Sequence, residues 1–303
     1  MWLLLLACTG TKPAPADDSA PVDSPADTST DSGDDTAAAA PVLYVSSYFD
    51  GSVHRYDPTT GASLGTIAPV PGAQTVVLHE GRLVLVAEQA NSVLLADPET
   101  GALIGTLIAD DPDTEADETG GLSGPTAAIL GPDGLWYVAS FNTDSVLRYT
   151  AAGAYQDTWV AAGADGLDGP DIGMCFNAAG ELLVPGYYSN ALHVFGPDGT
   201  PGPQLLTAAD GLSTPRGVVA HADGRVWVTS WDQGRVLVRD ADGVVSEAAA
   251  LRRPTGLVAW GAELLVGSDA SNGVLALDAE TGEKLGARVE DSTLDGVSAV
   301  AVW

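Results

Sequence analysis

The feature that most constrains this chain is a phrase of short apolar strands that returns six times. Its clearest copy is PRGVVAHADGRVWVTSWDQGRVLVRDAD, residues 215–242: an apolar strand, a tight turn, a second apolar strand, a polar loop and a third strand. The middle strand recurs as LYVSS (43–47), LVLVAE (83–88), LWYVAS (135–140), ELLVPG (181–186), RVWVTS (225–230) and ELLVGS (263–268). Aligned on Val45, Val86, Val138, Val184, Val228 and Val266, the copies stand 41, 52, 46, 44 and 38 residues apart. A period of that size marks a repeat architecture, in which one unit cannot bury its own faces and must be covered by its neighbours.

Each middle strand is followed by another apolar strand: VHRY (53–56), VLLA (93–96), VLRY (146–149), LHVF (192–195), VLVR (236–239) and VLAL (274–277). A turn such as DPTTG, DPETG or DAETG and a weaker outer strand complete the unit. The strand ahead of the middle one is repeated as AQTVVL (73–78), PTAAIL (125–130), PDIGMC (170–175), PRGVVA (215–220) and PTGLVA (254–259). Its sixth copy is out of order, at the C-terminus, as GVSAVAVW (296–303), while the first unit starts directly at its middle strand. The last strand of the chain therefore completes the first unit. Six four-stranded units closed in this way describe an all-β fold, a six-bladed β-propeller over residues 41–303. A sandwich or a β-helix also uses short strands, but neither calls for a displaced C-terminal copy.

Composition agrees, since 36 glycines and 19 prolines suit many tight turns rather than long helices. A net charge of −29, from 41 acidic against 12 basic residues, excludes nucleic acid as a main partner, because that binding needs a basic surface. Anionic lipid and acidic substrates are disfavoured for the same reason. Of the two cysteines, Cys175 sits in the apolar run Ile172–Phe176 and reads as a small buried hydrophobe. No disulfide is expected, and no Cys/His cluster has zinc-like spacing.

Cys8 reads differently. The start MWLLLLACTG carries Leu5-Leu6-Ala7-Cys8, which resembles the lipobox of bacterial lipoproteins, although no Lys or Arg precedes the apolar run. The resemblance implies a signal segment at 1–7, lipidation of Cys8, and a bacterial cell-envelope, extracytoplasmic location, with the lipid as the membrane contact. Residues 8–40, rich in Asp, Ser, Thr, Pro and Ala, cannot bury enough apolar surface to order themselves and read as a disordered tether. Its contour length is about 110 Å at ~3.5 Å per residue.

The pattern Pro-x-Gly-Val followed by Asp-Gly-x-Val-x-Val-x-Ser, clearest in 215–230, resembles the NHL-repeat propellers and the streptogramin-lyase-like and YncE-like families. The resemblance covers residues 41–303 and implies the fold; it is nearly silent on activity, because propellers host many functions. In such propellers one face carries the starts of the inner strands and the ends of the middle ones. Here the inner-strand starts are Gln74, Thr126, Asp171, Arg216, Thr255 and Ser298. The middle-strand ends lead into Tyr48-Phe49-Asp50, Glu88-Gln89, Phe141-Asn142, Tyr187-Tyr188, Trp231-Asp232 and Asp269. Tyr48, Phe141, Tyr187, Tyr188 and Trp231, with Asp171 and Arg216, are the candidate ligand-binding residues, offering stacking walls and a polar mouth. The same aromatics could instead seal the blade ends. Asp171 and Arg216, starting adjacent blades, are expected to form a salt bridge.

The four histidines fall at matched repeat positions, His79 with His221 and His54 with His193, which places them between blades or toward solvent rather than at one metal. A central Ca²⁺, as the gluconolactonase-like and paraoxonase-like propellers imply, is poorly supplied by Thr, Gln and Arg at the inner-strand starts. The acidic insert at 110–121 has carboxylates for weak Ca²⁺ binding but not the glycine and spacing of an EF-hand, and reads as a solvated loop on the ring face. No cofactor and no catalytic residues are assigned. The leading expectation is a monomeric, lipid-anchored propeller that binds a protein or small ligand. The alternative is a metal-dependent enzyme, a lyase or lactone hydrolase, with its site at the central channel near Asp171.

Overall fold

The repeats fold as six antiparallel sheets whose inner strands surround a central channel. The structure is a computed structural model that describes residues 9–10, 40–110, 113 and 116–303. The expected signal segment, Cys8 and residues 11–39 of the tether lie outside the described residues. In blade two the inner, middle, third and outer strands are Ala73–His79, Arg82–Ala87, Ser92–Ala96 and Leu103–Ile108. Blade one is built from both ends of the domain: the C-terminal strand Val297–Val302 pairs antiparallel with Leu43–Ser47, which pairs in turn with Ser52–Tyr56. Beyond the ladder, the Val42 amide donates to the Trp303 carbonyl at 2.7 Å and the Trp303 amide donates back at 3.1 Å.

The core is divided among the blade interfaces. One cluster joins Leu43, Val45 and Tyr56 of blade one to Trp260, Leu265 and Val274 of blade six. Another joins Tyr44, Val53 and Ile67 to Val76, Leu83 and Leu85 of blade two. Corresponding clusters fill the other four interfaces. A middle strand such as Leu43–Ser47 is thus buried along its whole length, because a neighbour covers each of its faces. Inner strands also approach one another closely. A Cβ on Gly173 would stand 2.3 Å from the Val218 amide nitrogen, and one on Gly217 would stand 2.6 Å from the Thr255 carbonyl oxygen.

Three details differ from the sequence expectation. The blade-two anchor is Leu85, not Val86: Leu83 pairs with Ala96 and Ala87 with Ser92, as Leu43 pairs with Tyr56 and Ser47 with Ser52. A strand apolar on both faces carries no alternation to fix its register, so Val86 and Leu85 are interchangeable by pattern alone. Blade four, expected to have four strands, keeps three, its outer edge reduced to isolated bridges Leu192–Leu206 and Phe195–Pro201. Its paired inner strand shrinks to Cys175–Phe176 beside a middle strand that contains Pro185. Pro185 cannot donate to a ladder, and Pro201 and Pro203 impose the same limit on the outer edge. Finally, Thr9–Gly10, placed in the tether, pair parallel with Ala259–Trp260 on the channel-side edge of the blade-six inner strand. Unpaired inner edges offer such backbone partners.

Candidate functional site

One recurrent backbone device sets the upper rim of the ring. Every middle strand leads into a four-residue turn whose last residue is left-handed: Gly51, Asn91, Asp144, Asn190, Gly234 and Asn272. The residue ahead of each inner strand is left-handed as well: Gly72, Gly124, Gly169, Thr214, Arg253 and Gly296. The carbonyl of each of these accepts from the amide of the first turn residue in its own blade. The donors are Tyr48, Glu88, Phe141, Tyr187, Trp231 and Asp269, at 2.8–3.3 Å. Six side chains are thereby held at equivalent points of the rim. Where the turn ends in Asn or Asp, its side chain also accepts from the next blade: Asn91 from Gly124 (2.9 Å), Asp144 from Gly169 (2.8 Å), Asn190 from Thr214 (2.8 Å) and Asn272 from Gly296 (3.0 Å). Asn, Asp and Gly suit these places because they tolerate positive φ, and Asn and Asp also supply an acceptor.

The sequence candidates meet in one cavity of about 260 Å³. Tyr48, Phe141, Tyr187, Tyr188 and Trp231 form the walls, while Gln74, Thr126, Asp171, Arg216 and Ser298 line it from the inner-strand starts. Thr255, expected in that second ring, is fully buried and is not among the lining residues. The aromatics also touch one another: Phe141 lies 5.8 Å from Tyr187 and 5.6 Å from Tyr188, and Tyr187 lies 6.3 Å from Trp231, centroid to centroid. The rings thus pack on one another along the rim and also line the cavity.

The expected salt bridge is present. Arg216 Nε donates to Asp171 Oδ2 at 2.8 Å, and Asp171 Oδ1 accepts from the Ile172 amide. Burial works against the charge on Arg216, yet the adjacent Asp171 carboxylate outweighs it and holds the guanidinium more firmly protonated than usual. Two further carboxylates reach the cavity, Glu88 and Asp269. Glu88 accepts from Gln74 Nε2 and, at 3.3 Å, from the Tyr48 hydroxyl. Asp269 Oδ2 accepts from Trp231 Nε1 at 2.8 Å, and the Arg253 guanidinium lies over the Trp231 ring at 4.6 Å. Burial raises the pKa of both carboxyls above the ordinary carboxylate range. The Tyr48 and Tyr187 phenols are raised by burial too.

The sequence places Glu88 and Asp269 on this face without marking them as binding residues. Their alignment with the four aromatics at the first turn position was the available signal. Phe49, a cavity-lining residue that is 71% exposed, is a further addition. None of the four histidines lines the cavity. His54 and His193 are buried in the third strands, stacked on Tyr56 and Phe195, as their matched repeat positions imply. Cys175 is buried in the core between blades four and five. In the acidic insert, Thr119 is buried and its carbonyl accepts from the Tyr149 hydroxyl at 2.7 Å, so that end is built into the blade. Among the described residues no group of three or more His, Cys, Asp or Glu side chains is placed to hold a metal ion. The other half of the channel is apolar, with Val76, Leu257, Val300 and Trp303 on its walls.

Fold and rim together define a six-bladed β-propeller with an aromatic-walled cavity at one end of its channel. No protein-family model matches the sequence, and no curated protein matches it. Solved structures do match in fold. A chain of a nidogen/laminin complex superposes with a TM-score of 0.71 at 14% identity, over 86% of this chain and 98% of that one. A Bacteroides caccae protein of unknown function gives 0.63 at 14% identity, over 87% and 99%. A streptogramin B lyase gives 0.59 at 14% identity, over 85% and 86%. The resemblance to streptogramin-lyase-like propellers thus holds at the level of fold. Identity this low carries no activity across.

Proposed function

We propose that this chain is a binding module whose site is the aromatic-walled cavity. The observation that carries the reading is convergence: six aromatics, three carboxylates and one arginine from all six blades face a single space. Walls of this kind with a few fixed polar groups suit recognition of a small ligand or of a protruding piece of a protein. The fold occurs both in a chain of a nidogen/laminin complex and in a streptogramin B lyase, so it leaves open a protein or a small molecule as the ligand. The lipobox-like start adds a setting, in which a lipid on Cys8 anchors the chain to a bacterial membrane. Metabolic labelling with a fatty acid, compared with Cys8→Ala, tests the anchor.

The site is tested by thermal-shift screening of the full chain against amines, sugars, acids and short peptides. A stabilising ligand whose effect disappears in Phe141→Ala/Trp231→Ala, with folding retained, supports the reading. Ligands that stabilise both proteins equally place recognition elsewhere. The competing reading, a metal-dependent enzyme, draws on the same cavity, although its three carboxylates are not placed to hold one ion. Stoichiometric divalent metal that raises the melting temperature would favour it.

A further inference from the structure

The charge of the cavity is as uneven as its walls. Three carboxylates line it against one guanidinium, and that guanidinium is already committed to one of the three, Asp171, at 2.8 Å. Glu88 and Asp269 make no salt bridge, although the Arg216 charge reaches both of them and the Arg253 charge reaches Asp269. Their hydrogen bonds come from neutral donors, Gln74, Tyr48 and the Trp231 indole. Arg253 lies outside, on the Trp231 ring, and shows that a guanidinium fits against the aromatic rim.

A second observation is independent of charge. Gln74 is only 3% exposed and lines the cavity, yet its Oε1 has no hydrogen-bond donor. Asp269 Oδ1 is a second buried acceptor without a donor. A buried acceptor left unpaired is costly, but both oxygens are closed to solvent, so an occupant reaches them only where the Gln74 amide or the Asp269 carboxylate turns on binding. Arg216 donates only its Nε to Asp171 and gives neither oxygen a hydrogen bond. Size narrows the occupant further: about 260 Å³ is below the ~300 Å³ at which pockets for whole drug-sized ligands begin. The cavity suits a head group, with Phe49 and Tyr188, 71% and 59% exposed, left at the rim for the body behind it.

We infer that the cavity binds an organic cation, the ammonium or guanidinium head of its ligand, between the aromatic walls and the Glu88 and Asp269 carboxylates. This rests on the binding-module reading and names the ligand class for the same site. The Glu88 and Asp269 carboxylates accept from such a head, and the ring faces attract its charge. Burial of the two carboxyls leaves their charges poorly solvated, which an entering cation relieves.

The test is calorimetric titration of the full chain at pH 7.5 with choline, methylguanidinium, acetate and 3,3-dimethylbutan-1-ol, the uncharged isostere of choline. A cation should bind at least tenfold more tightly than the isostere and acetate, and Glu88→Gln and Asp269→Asn should each weaken it at least tenfold. Equal affinity for choline and the isostere overturns the inference, as does binding that neither substitution changes. The wild-type comparison decides if the variants fail to fold. Tighter acetate binding also overturns it while leaving the binding module intact, with Arg216 as the anchor. Absence of binding by both cations removes the inference alone, since the ligand screen tests the site independently. A blocked Gly-Arg-Gly peptide separates the sources: affinity tenfold above that of methylguanidinium assigns a protein loop, and equal affinity a free small cation.

Discussion

Removing residues 297–303 tests ring closure most directly. The excision takes away Val297, Val300 and Val302, which are 0%, 8% and 2% exposed, and the whole ladder to Leu43–Ser47. At about 1.5–3 kcal/mol per buried valine, the apolar loss is about 4.5–9 kcal/mol. Domains have only ~5–15 kcal/mol in all, so the truncated chain should lose its cooperative transition. The Trp303 indole, which donates to the Val76 carbonyl at 3.1 Å and ties blade one to blade two, goes as well. The assay is thermal and urea unfolding followed by circular dichroism and tryptophan fluorescence. A relocation control separates loss of closure from loss of sequence. Val42 and Trp303 exchange backbone hydrogen bonds, so residues 296–303 can be moved ahead of Val42 and joined by Asn-Gly, a turn suited to such a pair. The relocated strand should restore cooperative melting. A truncated protein that melts cooperatively within a few degrees of the intact one would refute the closure argument.

Three further outcomes follow from the geometry. Gly173→Ala forces a methyl onto the Val218 and Arg216 backbone, and overpacking of that kind should cost about 1–3 kcal/mol in urea unfolding; an unchanged midpoint would mean the inner strands can separate. Asp171→Ala leaves Arg216 buried without its partner and should cost about 3–5 kcal/mol, while adding Arg216→Met should recover most of it; additive losses would argue against coupling. His193 is buried, and burial lowers its pKa below the usual value of about 6.5. The unfolded chain then takes up the proton first, so this residue contributes falling stability as pH drops below about 6.5. His193→Gln should flatten the decline in melting temperature between pH 7 and pH 5, and an unchanged slope would remove His193 as its source.

Much of the candidate site was legible because repetition turns a list of residues into a ring. Aligning the middle strands put Tyr48, Phe141, Tyr187 and Trp231 at one position, and the structure holds all four through the same amide-to-carbonyl bond. Glu88 and Asp269 occupy that position too, but a pattern sought in aromatics passes over carboxylates. The inter-blade contacts of Asn91, Asp144, Asn190 and Asn272 were written as Asn or Asp at the turn ends, yet a turn residue does not reveal which neighbouring amide it meets. The register of blade two and the broken strands of blade four lay beyond the pattern. A doubly buried strand has no alternation, and the effect of Pro185 on a ladder depends on which edge its partner uses.

What the sequence by itself determined was the repeat, its number and the displaced C-terminal strand, because periodic burial must be written residue by residue along the chain. Tertiary structure alone decided which charges share a space. Trp231 and Asp269 are 38 residues apart, yet they are in hydrogen-bond contact across neighbouring blades, and Glu88 and Asp269 join the expected Asp171–Arg216 pair in one cavity. Ring curvature brings the six rims to one point, and the direction of each side chain there sets both the cavity's charge and its unmet acceptors.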